Sequence, residues 1–292
     1  MSPHSPPPRC KNVLITGCSS GIGLRAAEIL RVRGYNLITT VRKPQDKERL
    51  EQQGFTVVLL DLADEHSVAR AFDEVMRLFN GRLDGLFNNA AYGQPGAVED
   101  LSRAALREQF ETNVLGTQQL TNLAIAVMRQ QGFGRVVYNS SVLGLVSLAY
   151  RGAYNASKYA IEGLADTLRL ELQGSGVDIS LIEPGPITSR FRANAFAKYQ
   201  EHINKNNSAH QPIYQAMEQR LKKTGPAAPF TLPPDAVVAK CLHAFESRRP
   251  KIRYYVTFPT YLFASLKRLL PHRALDWVLR KVSDSEKRPG RR

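Results

Sequence analysis

The sequence predicts an α/β fold, a three-layer sandwich in which a central, mostly parallel, seven-stranded sheet carries helices on both faces. Short apolar runs alternate with segments of helical spacing along most of the chain. These runs are apolar at nearly every position, as in parallel strands that are buried on both faces. The chain has 292 residues, and no shift in composition marks a second domain. One large domain is therefore predicted.

The first half of the chain alternates strictly between strand and helix patterns. The four predicted strands are 12–16, 36–41, 56–60 and 83–87. The helical patterns that follow them are 24–33, 45–52, 65–79 and a long one at 101–129. The first helix is expected to end at Gly34, because glycine favours helix termini.

The second half continues the alternation but contains one irregular segment. Three further strands are predicted at 135–139, 178–182 and near 252–257, with helices at 154–172 and 234–246. The segment 188–234 is polar and rich in proline, and connections of that length are often binding loops or lids. We therefore expect a disordered lead at 1–10, one domain at 11–257 with a substrate loop near 188–234, and a basic helix or tail at 258–292.

The charge balance favours an anionic partner. Lys and Arg total 40 against 26 for Asp and Glu, a formal net charge of +14, which suits a phosphorylated cofactor, an acidic membrane surface or nucleic acid. No nucleic-acid recognition motif accompanies the charge, so no nucleic-acid partner is expected. Basic and apolar residues interleave in 262–282, which fits either a helix in peripheral contact with a membrane or an ordinary charged surface helix.

Cysteine usage predicts a reducing, cytoplasmic setting. Cys10, Cys18 and Cys241 are odd in number and widely spaced, which matches neither a disulfide framework nor a metal site. No metal is expected. The N-terminus has no apolar stretch typical of a secretory signal.

A glycine-rich turn separates the first strand from the first helix. It reads T-G-C-S-S-G-I-G over residues 16–23. Such glycines permit a tight turn, close approach of the backbone to a pyrophosphate, and packing of the helix against the sheet. The amides of the turn and the positive helix end would then hold phosphates, where the alternative is a turn without a ligand. The candidate phosphate-binding residues are Gly17, Ser19, Ser20, Gly21, Ile22 and Gly23.

A tyrosine and a lysine lie four residues apart in the predicted helix 154–172. Tyr154 and Lys158 therefore share one helix face. Tyrosine has an ordinary pKa of about 10, too high for ready use as a base at neutral pH. A nearby ammonium stabilises the phenolate and should lower the pKa of Tyr154, which would make it a usable general acid/base. A tyrosine and a lysine at this spacing are common by chance. The pair is informative here because it lies at the start of the helix that follows the strand 135–139.

The glycine spacing resembles the short-chain dehydrogenase/reductase family, whose Rossmann-type fold binds NAD or NADP. The resemblance runs from about residue 12 to residue 188 and uses several motifs. It implies that Tyr154 is the general acid/base and that Lys158 also bonds the nicotinamide ribose. It further implies that Ser141 bonds the substrate oxygen and that Asn113 anchors a water beside Lys158. Ser140 remains the rival for the role of Ser141.

The same resemblance implies where the cofactor lies, and the residues favour NADP over NAD. No acidic side chain ends the second strand, whereas Arg42 can pair with a 2′-phosphate and Ser19 and Ser20 can donate to it. Ala91 stands where the family usually has glycine, in the motif that follows the fourth strand. The remaining cofactor-binding residues implied by the family motifs are Asp61, Leu62, Asn89, Ala90, Pro184, Gly185, Ile187 and Thr188.

These motifs predict an NADP-dependent oxidoreductase that acts between NADPH and a hydrophobic aldehyde or ketone. The glycine turn and the tail are similar to the hydroxysteroid and retinol dehydrogenase branch and to bacterial NADP-dependent aldehyde reductases. A retinol- or hydroxysteroid-type alcohol dehydrogenase and a non-catalytic NADP-binding sensor or scaffold are the alternatives. The resemblance also implies a homo-oligomer, a dimer or tetramer. Candidate apolar residues of the substrate site are Tyr92, Leu143, Leu145, Tyr150, Phe191 and Phe196.

Overall fold

Seven parallel strands form one sheet in the computed structural model, which describes residues 10–222, 225 and 228–285. The strands are β1 (Asn12–Ile15), β2 (Asn36–Val41), β3 (Thr56–Leu59), β4 (Gly85–Asn88), β5 (Gly134–Asn139), β6 (Val177–Pro184) and β7 (Arg253–Val256). Their spatial order is β3-β2-β1-β4-β5-β6-β7, and every neighbouring pair is parallel. The predicted fold class is confirmed, and the strand order reverses between β1 and β4.

Helices cover both faces of this sheet. They are α1 (Gly21–Val32), α2 (Pro44–Gln52), α3 (Glu65–Leu78), α4 (Arg103–Phe110), α5 (Thr117–Gln131), α6 (Gly152–Glu171), α7 (Phe191–His202), α8 (Gln211–Lys222), α9 (Asp235–Glu246), α10 (Phe258–Leu269) and α11 (His272–Ser285). One apolar core joins the sheet to α1, α2 and α9, and a second joins it to α3, α5 and α6. Adjacent strand residues alternate between the two: Val13 lies in the first core and Leu14 in the second.

The long helical pattern at 101–129 is one helical path with a wider turn in its middle. A π-helical turn, Glu111–Gly116, joins α4 to α5. Such turns insert one residue into the hydrogen-bond ladder and are frequent at functional sites. Gly116 is required there, because a Cβ at this position would lie 1.8 Å from the carbonyl oxygen of Leu62. The turn thus packs against the segment that follows β3.

The segment 188–234 is more regular than the sequence indicates. It contains the two helices α7 and α8, and these share a small apolar core of their own, which includes Ala195, Tyr199, Tyr214 and Met217. The polar composition reflects the outer faces of the two helices, which is why periodicity alone does not reveal them. The first helix differs slightly from its predicted range of 24–33, since α1 begins at Gly21.

The C-terminal part is folded onto the domain. Helices α10 and α11 bury Phe263 and Leu279 against Val146, with Val142 and Leu148 beside them. No helix within the described ranges is long and apolar enough to cross a membrane. The expected lead at 1–10 lies outside these ranges apart from Cys10, and so does the end of the basic tail after residue 285.

Candidate active site

A cleft of about 730 Å³ opens at the carboxyl ends of the strands. In open α/β sheets this edge, where the strand order reverses, is the usual place for a ligand. The cleft is large enough for a cofactor, since ligand sites typically measure about 300–1,000 Å³. It brings together nearly all of the candidate residues: Gly17, Ser19, Ser20, Gly21, Ile22, Arg42, Asp61, Leu62, Asn89, Ala90, Ser141, Tyr154, Lys158, Pro184, Gly185, Ile187 and Thr188.

The glycine turn is packed too tightly for side chains. Gly17 has φ +71°, and a Cβ there would lie 2.8 Å from the Cα of Ala90. A Cβ on Gly23 would lie 2.3 Å from the carbonyl oxygen of Gly17. Gly23 therefore does not line the cleft, and it packs the start of α1 against the turn. The Asn89 side chain donates to the carbonyl oxygens of Thr16 and Gly17, at 2.9 and 3.2 Å, and so fixes the turn from the other side.

The start of α1 points its amide groups at this turn. Ser20 is the N-cap residue, and in the described structure its side chain makes no capping hydrogen bond. The first amides of a helix need acceptors, and the helix end carries a partial positive charge. A pyrophosphate satisfies both requirements. This end of the cleft fits the phosphates of a dinucleotide.

Basic side chains surround the end of the cleft beyond β2. Arg42 and Lys43 line it and are exposed. Asp46 also lines it, but its carboxylate is paired with Arg49 at 2.9 Å. Arg49 in addition donates to the carbonyl oxygen of Ser19 at 2.7 Å. Asp61 lines this end as well, so both signs are present and the basic groups outnumber the acidic ones. Sequence reasoning found this arrangement only through Arg42.

Tyr154, Ser141 and Lys158 meet at the centre of the cleft. The Ser141 hydroxyl lies close enough to the Tyr154 hydroxyl to act on its pKa. The Lys158 ammonium lies 5.6 Å from the centre of the Tyr154 ring and donates to the carbonyl oxygen of Asn139 at 2.7 Å. Because α6 presents Tyr154 and Lys158 on one face, a phenol and an ammonium share the same pocket wall.

The pKa values of Tyr154 and Lys158 differ from the expectation that the Lys158 ammonium lowers the pKa of Tyr154. Burial raises the pKa of Tyr154 to about 12, and the neighbouring Ser141 hydroxyl opposes the rise only in part. Burial also lowers the pKa of Lys158 to about 8, against the opposing effect of Glu162. The expected fall in the pKa of Tyr154 is thus wrong for the protein by itself. Tyr154 holds its proton at neutral pH, as a proton donor must.

The two neighbouring serines have different environments. The Ser140 hydroxyl donates to the carboxylate of Glu162. The Ser141 hydroxyl oxygen accepts from the amide of Leu143 at 3.1 Å, and this hydroxyl lowers the pKa of the neighbouring Tyr154. Of the two serines, Ser141 is therefore the one that acts on the candidate acid, which supports it over Ser140.

A buried charge network lies beneath the pair, and the sequence analysis did not identify it. Arg253 on β7 binds the carboxylates of Glu162, Asp166 and Glu183. Burial and the neighbouring Glu162 raise the pKa of Glu183 to about 8, and Arg253 opposes that rise. A sequence signal existed: Glu162 and Asp166 continue the four-residue spacing of Tyr154 and Lys158 along α6.

Asn113 lies in the π-helical turn and does not line the cleft. Its amide donates to the carbonyl oxygen of Tyr92 at 2.9 Å and to the Ser157 hydroxyl at 3.1 Å. Its side-chain oxygen accepts from the Tyr92 amide at 3.2 Å. Asn113 therefore ties the segment after β4 to the helix that carries Tyr154 and Lys158.

Helices α7 and α8 close the outer side of the cleft. The Phe191 ring packs edge-on against Tyr154, with centroids 5.2 Å apart, and a Cβ on Gly93 would lie 2.7 Å from the Phe191 ring. Of the predicted apolar lining, Leu145 and Phe196 do not face the cleft, whereas the others do. Sequence reasoning missed three apolar lining residues of α8, which lie far from the motifs along the chain: Ile213, Met217 and Leu221.

One acidic group near the cleft resembles a metal site in composition. Ligand atoms of Glu108, Glu201 and His202 lie within 4.8 Å of one another. The ammonium of Lys198 bonds both carboxylates, so a cation is already present. We interpret the group as an ion-pair cluster that ties α7 to α4.

The known proteins that this chain resembles in sequence are dehydrogenases, reductases and other oxidoreductases. The family model described as short chain dehydrogenase matches residues 11–200. An uncharacterized oxidoreductase of Escherichia coli, YbbO, is 47% identical over 92% of this chain and 94% of its own. The NADPH-dependent 3-dehydrocapnine reductase of Ornithobacterium rhinotracheale is 30% identical over 92% and 95%. Human retinol dehydrogenase 8 is 36% identical over 64% and 62%.

Solved structures agree on the fold and differ in cofactor. A short-chain dehydrogenase/reductase from Burkholderia phymatum in complex with NAD has a TM-score of 0.75 and 26% identity, covering 94% of this chain and 97% of its own. The structure of ElxO with NADP bound has a TM-score of 0.67 and 23% identity, covering 84% and 96%. The choice between the two cofactors therefore depends on residues at the cleft.

Proposed function

The chain belongs to the short-chain dehydrogenase/reductase family, and we propose that it is an NADPH-dependent reductase of hydrophobic aldehydes or ketones. The observation that carries this proposal is that Tyr154, Ser141 and Lys158 line one cleft, which begins at the glycine turn, with the Lys158 ammonium 5.6 Å from the centre of the Tyr154 ring.

The residues that would hold the cofactor form a continuous wall of the cleft. The amides from Gly17 to Ile22 would bind the pyrophosphate, and Asp61 and Leu62 would contact the adenine. Lys158 would bond the nicotinamide ribose, and residues 184–188 would contact the carboxamide. Bound NADPH would supply the hydride that reduces the carbonyl carbon.

Tyr154 would donate its phenolic proton to the carbonyl oxygen as negative charge develops there. Ser141 would donate a hydrogen bond to the same oxygen. The Lys158 ammonium stabilises the phenolate that remains, because opposite charges in a buried site attract strongly. Asn113 would act through Ser157 and the Tyr92 backbone, by holding α6 in place.

Three observations support NADPH over NADH. Arg42 and Lys43 line the end of the cleft where the adenosine ribose would lie, and Asp46 is neutralised by Arg49. A guanidinium pairs well with a phosphate. A relative that is 30% identical over nearly the whole chain is named as NADPH-dependent.

The test is turnover of NADPH by the purified protein with a panel of aliphatic, aromatic and steroid carbonyls. We expect loss of reduced-nicotinamide absorbance with apolar members of the panel. Tyr154→Phe should lower kcat at least about 10²-fold, the typical worth of a positioned acid, while NADPH affinity stays within about twofold. Near-normal turnover by Tyr154→Phe would remove the assigned acid.

Two other functions give different outcomes in the same test. A retinol- or hydroxysteroid-type dehydrogenase, suggested by the similarity to human retinol dehydrogenase 8, would favour NADP-dependent oxidation of an alcohol. A sensor or scaffold would bind NADPH tightly and turn over none of the carbonyls. We also expect a homo-oligomer through α5 and α6, as the family resemblance implies.

A further inference from the structure

The half of the cleft beyond Tyr154 is lined by basic residues and, among the described residues, by no acidic ones. We call it the substrate half: the lining residues within 92–95, 142–151, 191–198 and 213–221, together with Ser283. Four of these are basic, Arg151, Arg192, Lys198 and Arg220, and none of the described lining residues there is Asp or Glu. The cofactor half, by contrast, contains both signs, since Asp46 and Asp61 accompany Arg42 and Lys43.

The rest of the substrate half is largely apolar. Phe191, which packs on the Tyr154 ring, starts an apolar surface that continues over the two covering helices. Ala195, Met217 and Leu221 are buried members of that surface. An apolar chain that reaches Tyr154 would be removed from water along this surface, which stabilises binding by about 25 cal/mol per Å².

Arg192 supplies the cation at this surface. It lies next to Phe191 on α7 and is half-buried. Its guanidinium donates to the main-chain oxygens of Arg220, at 3.5 Å, and of Gly225. These carbonyl oxygens hold the side chain in place but carry no net charge. A guanidinium has five N–H donors, so further donors are available to an anion.

The other cations have different surroundings. Lys198 is paired with Glu108 and Glu201, so its charge is largely offset. Arg190 precedes Phe191, is exposed and follows Ser189, whose Cβ lies 3.2 Å from where a Cβ of Gly21 would be. Its position beside the glycine turn places Arg190 closer to the cofactor phosphates. Arg151 and Arg220 have interaction partners of their own. Arg192 is therefore the cation of the substrate half that we assign to the substrate.

We propose that the carbonyl substrate is an anionic amphiphile, an apolar chain that carries the aldehyde or ketone and a carboxylate or phosphate that pairs with Arg192. This deepens the function proposed above and rests on it. The carbonyl lies at Tyr154, the chain follows Phe191, Ala195, Met217 and Leu221, and the anion meets the guanidinium. Charge-assisted hydrogen bonds to a half-buried guanidinium are among the stronger ones in proteins.

The first experiment compares a matched pair of substrates with NADPH: 12-oxododecanoate and its methyl ester, each below its micelle concentration. The two have the same aldehyde and the same chain, and the ester replaces the terminal negative charge with a neutral group that is larger by one methyl. We expect kcat/KM for the acid to exceed that for the ester at least about tenfold, which corresponds to 1.4 kcal/mol. Arg192→Gln should reduce this ratio to near one by lowering the value for the acid. The matched control is Arg129→Gln, on the exposed end of α5, which should leave the ratio unchanged.

A binding measurement separates this proposal from the proposed function. Dodecanoate and dodecyl phosphate have no carbonyl to reduce, so their effect on the Tm of the NADP-loaded protein reports binding alone. We expect both to raise Tm more than methyl dodecanoate does, and Arg192→Gln to remove that difference. The two head groups also show whether a carboxylate or a phosphate fits better.

The outcomes are distinct. Equal kcat/KM for acid and ester, or turnover of the ester alone, would overturn the anionic substrate while leaving a carbonyl reductase. If no carbonyl is reduced but the anions still stabilise the protein through Arg192, the reductase fails and the anion site stands. A charge preference that survives Arg192→Gln would overturn the assignment of the cation.

Discussion

At the scale of single residues, burial and charge have opposite effects on the same side chains. Tyr154 is half-buried and Lys158 is buried, which favours the neutral form of each side chain. The pKa of Tyr154 is therefore raised and that of Lys158 is lowered. Arg42, at the other end of the cleft, is exposed, so its expected role depends on its position beside the end of β2. The pKa values of Tyr154 and Lys158 thus depend on burial and on neighbouring side chains, which the sequence alone does not give.

Replacing Arg42 with leucine tests the cofactor assignment. Arg42→Leu removes the guanidinium that would pair with the 2′-phosphate, and a hydrogen bond to a charged group contributes about 1.5–3 kcal/mol. We expect the KM for NADPH to rise about 10- to 100-fold while the KM for NADH changes little, because NADH has no 2′-phosphate. Steady-state kinetics with both cofactors give the result.

The control is Arg77→Leu, an exposed substitution on α3 outside the cleft, which should alter neither KM. A rise of equal size for NADH and NADPH in Arg42→Leu would contradict the assignment.

At the scale of elements, α6 carries a charged stripe that links the active site to the sheet edge. Tyr154, Lys158, Glu162 and Asp166 follow one another at four-residue spacing, and the last two bind Arg253 on β7. Glu162 also accepts from Ser140. One helix face therefore connects Tyr154, the Lys158 ammonium and the loop that contains Ser141.

Glu162→Gln should shift the pH dependence of the reaction. Glu162 raises the pKa of Lys158, which burial lowers to about 8, so loss of its charge lowers that pKa further. Lys158 stabilises the phenolate only while it is charged, and activity falls as pH rises through its pKa. The alkaline limb of kcat/KM should therefore move to lower pH by about one unit, equal to 1.36 kcal/mol.

The matched control on the same helix is Glu171→Gln, an exposed residue at its end, which should leave the profile in place. An unmoved limb in Glu162→Gln, with Tm near that of the parent, would show that Glu162 does not set the charge of Lys158.

At the scale of the whole molecule, the C-terminal helices form part of the active-site wall. Helices α10 and α11 pack on Val142, Val146 and Leu148, and the Ser283 hydroxyl accepts from the amide of Ala149 at 3.3 Å. Ser283 itself lines the cleft. Helices α10 and α11 thus support the segment that follows Ser141.

Leu279→Ala tests this support. Leu279 is 9% exposed between the C-terminal helices and Val146, and a large-to-small change at such a site costs about 2–5 kcal/mol. We expect the lower half of that range, because α11 lies at the surface, together with a raised KM for the carbonyl substrate. Denaturant unfolding and steady-state kinetics give the two values.

Leu269→Ala is the matched control on α10, because that side chain is 78% exposed. It should change the free energy of unfolding by less than about 0.5 kcal/mol. Equal effects of the two substitutions would mean that α11 does not pack as described.

Local patterns were sufficient for the strands and for the first site residues. Each apolar run formed a strand because parallel strands are buried on both faces, and the glycine turn lay between β1 and α1 because only glycine fits beside Ala90 and the Gly17 carbonyl. Helices α7 and α8 were not foreseen, since their polar outer faces obscure the period that buries Tyr199 and Tyr214.

The sequence alone determined the fold class, the glycine turn and the spacing of Tyr154 and Lys158, because each depends on residues that are close together along the chain. The tertiary structure decided which serine faces the tyrosine, that Arg253 joins Glu162 to Glu183, and that Arg192 and Met217 share one wall of the cleft. These contacts join residues far apart in the chain, and only the packing of the helices on the sheet brings them within reach.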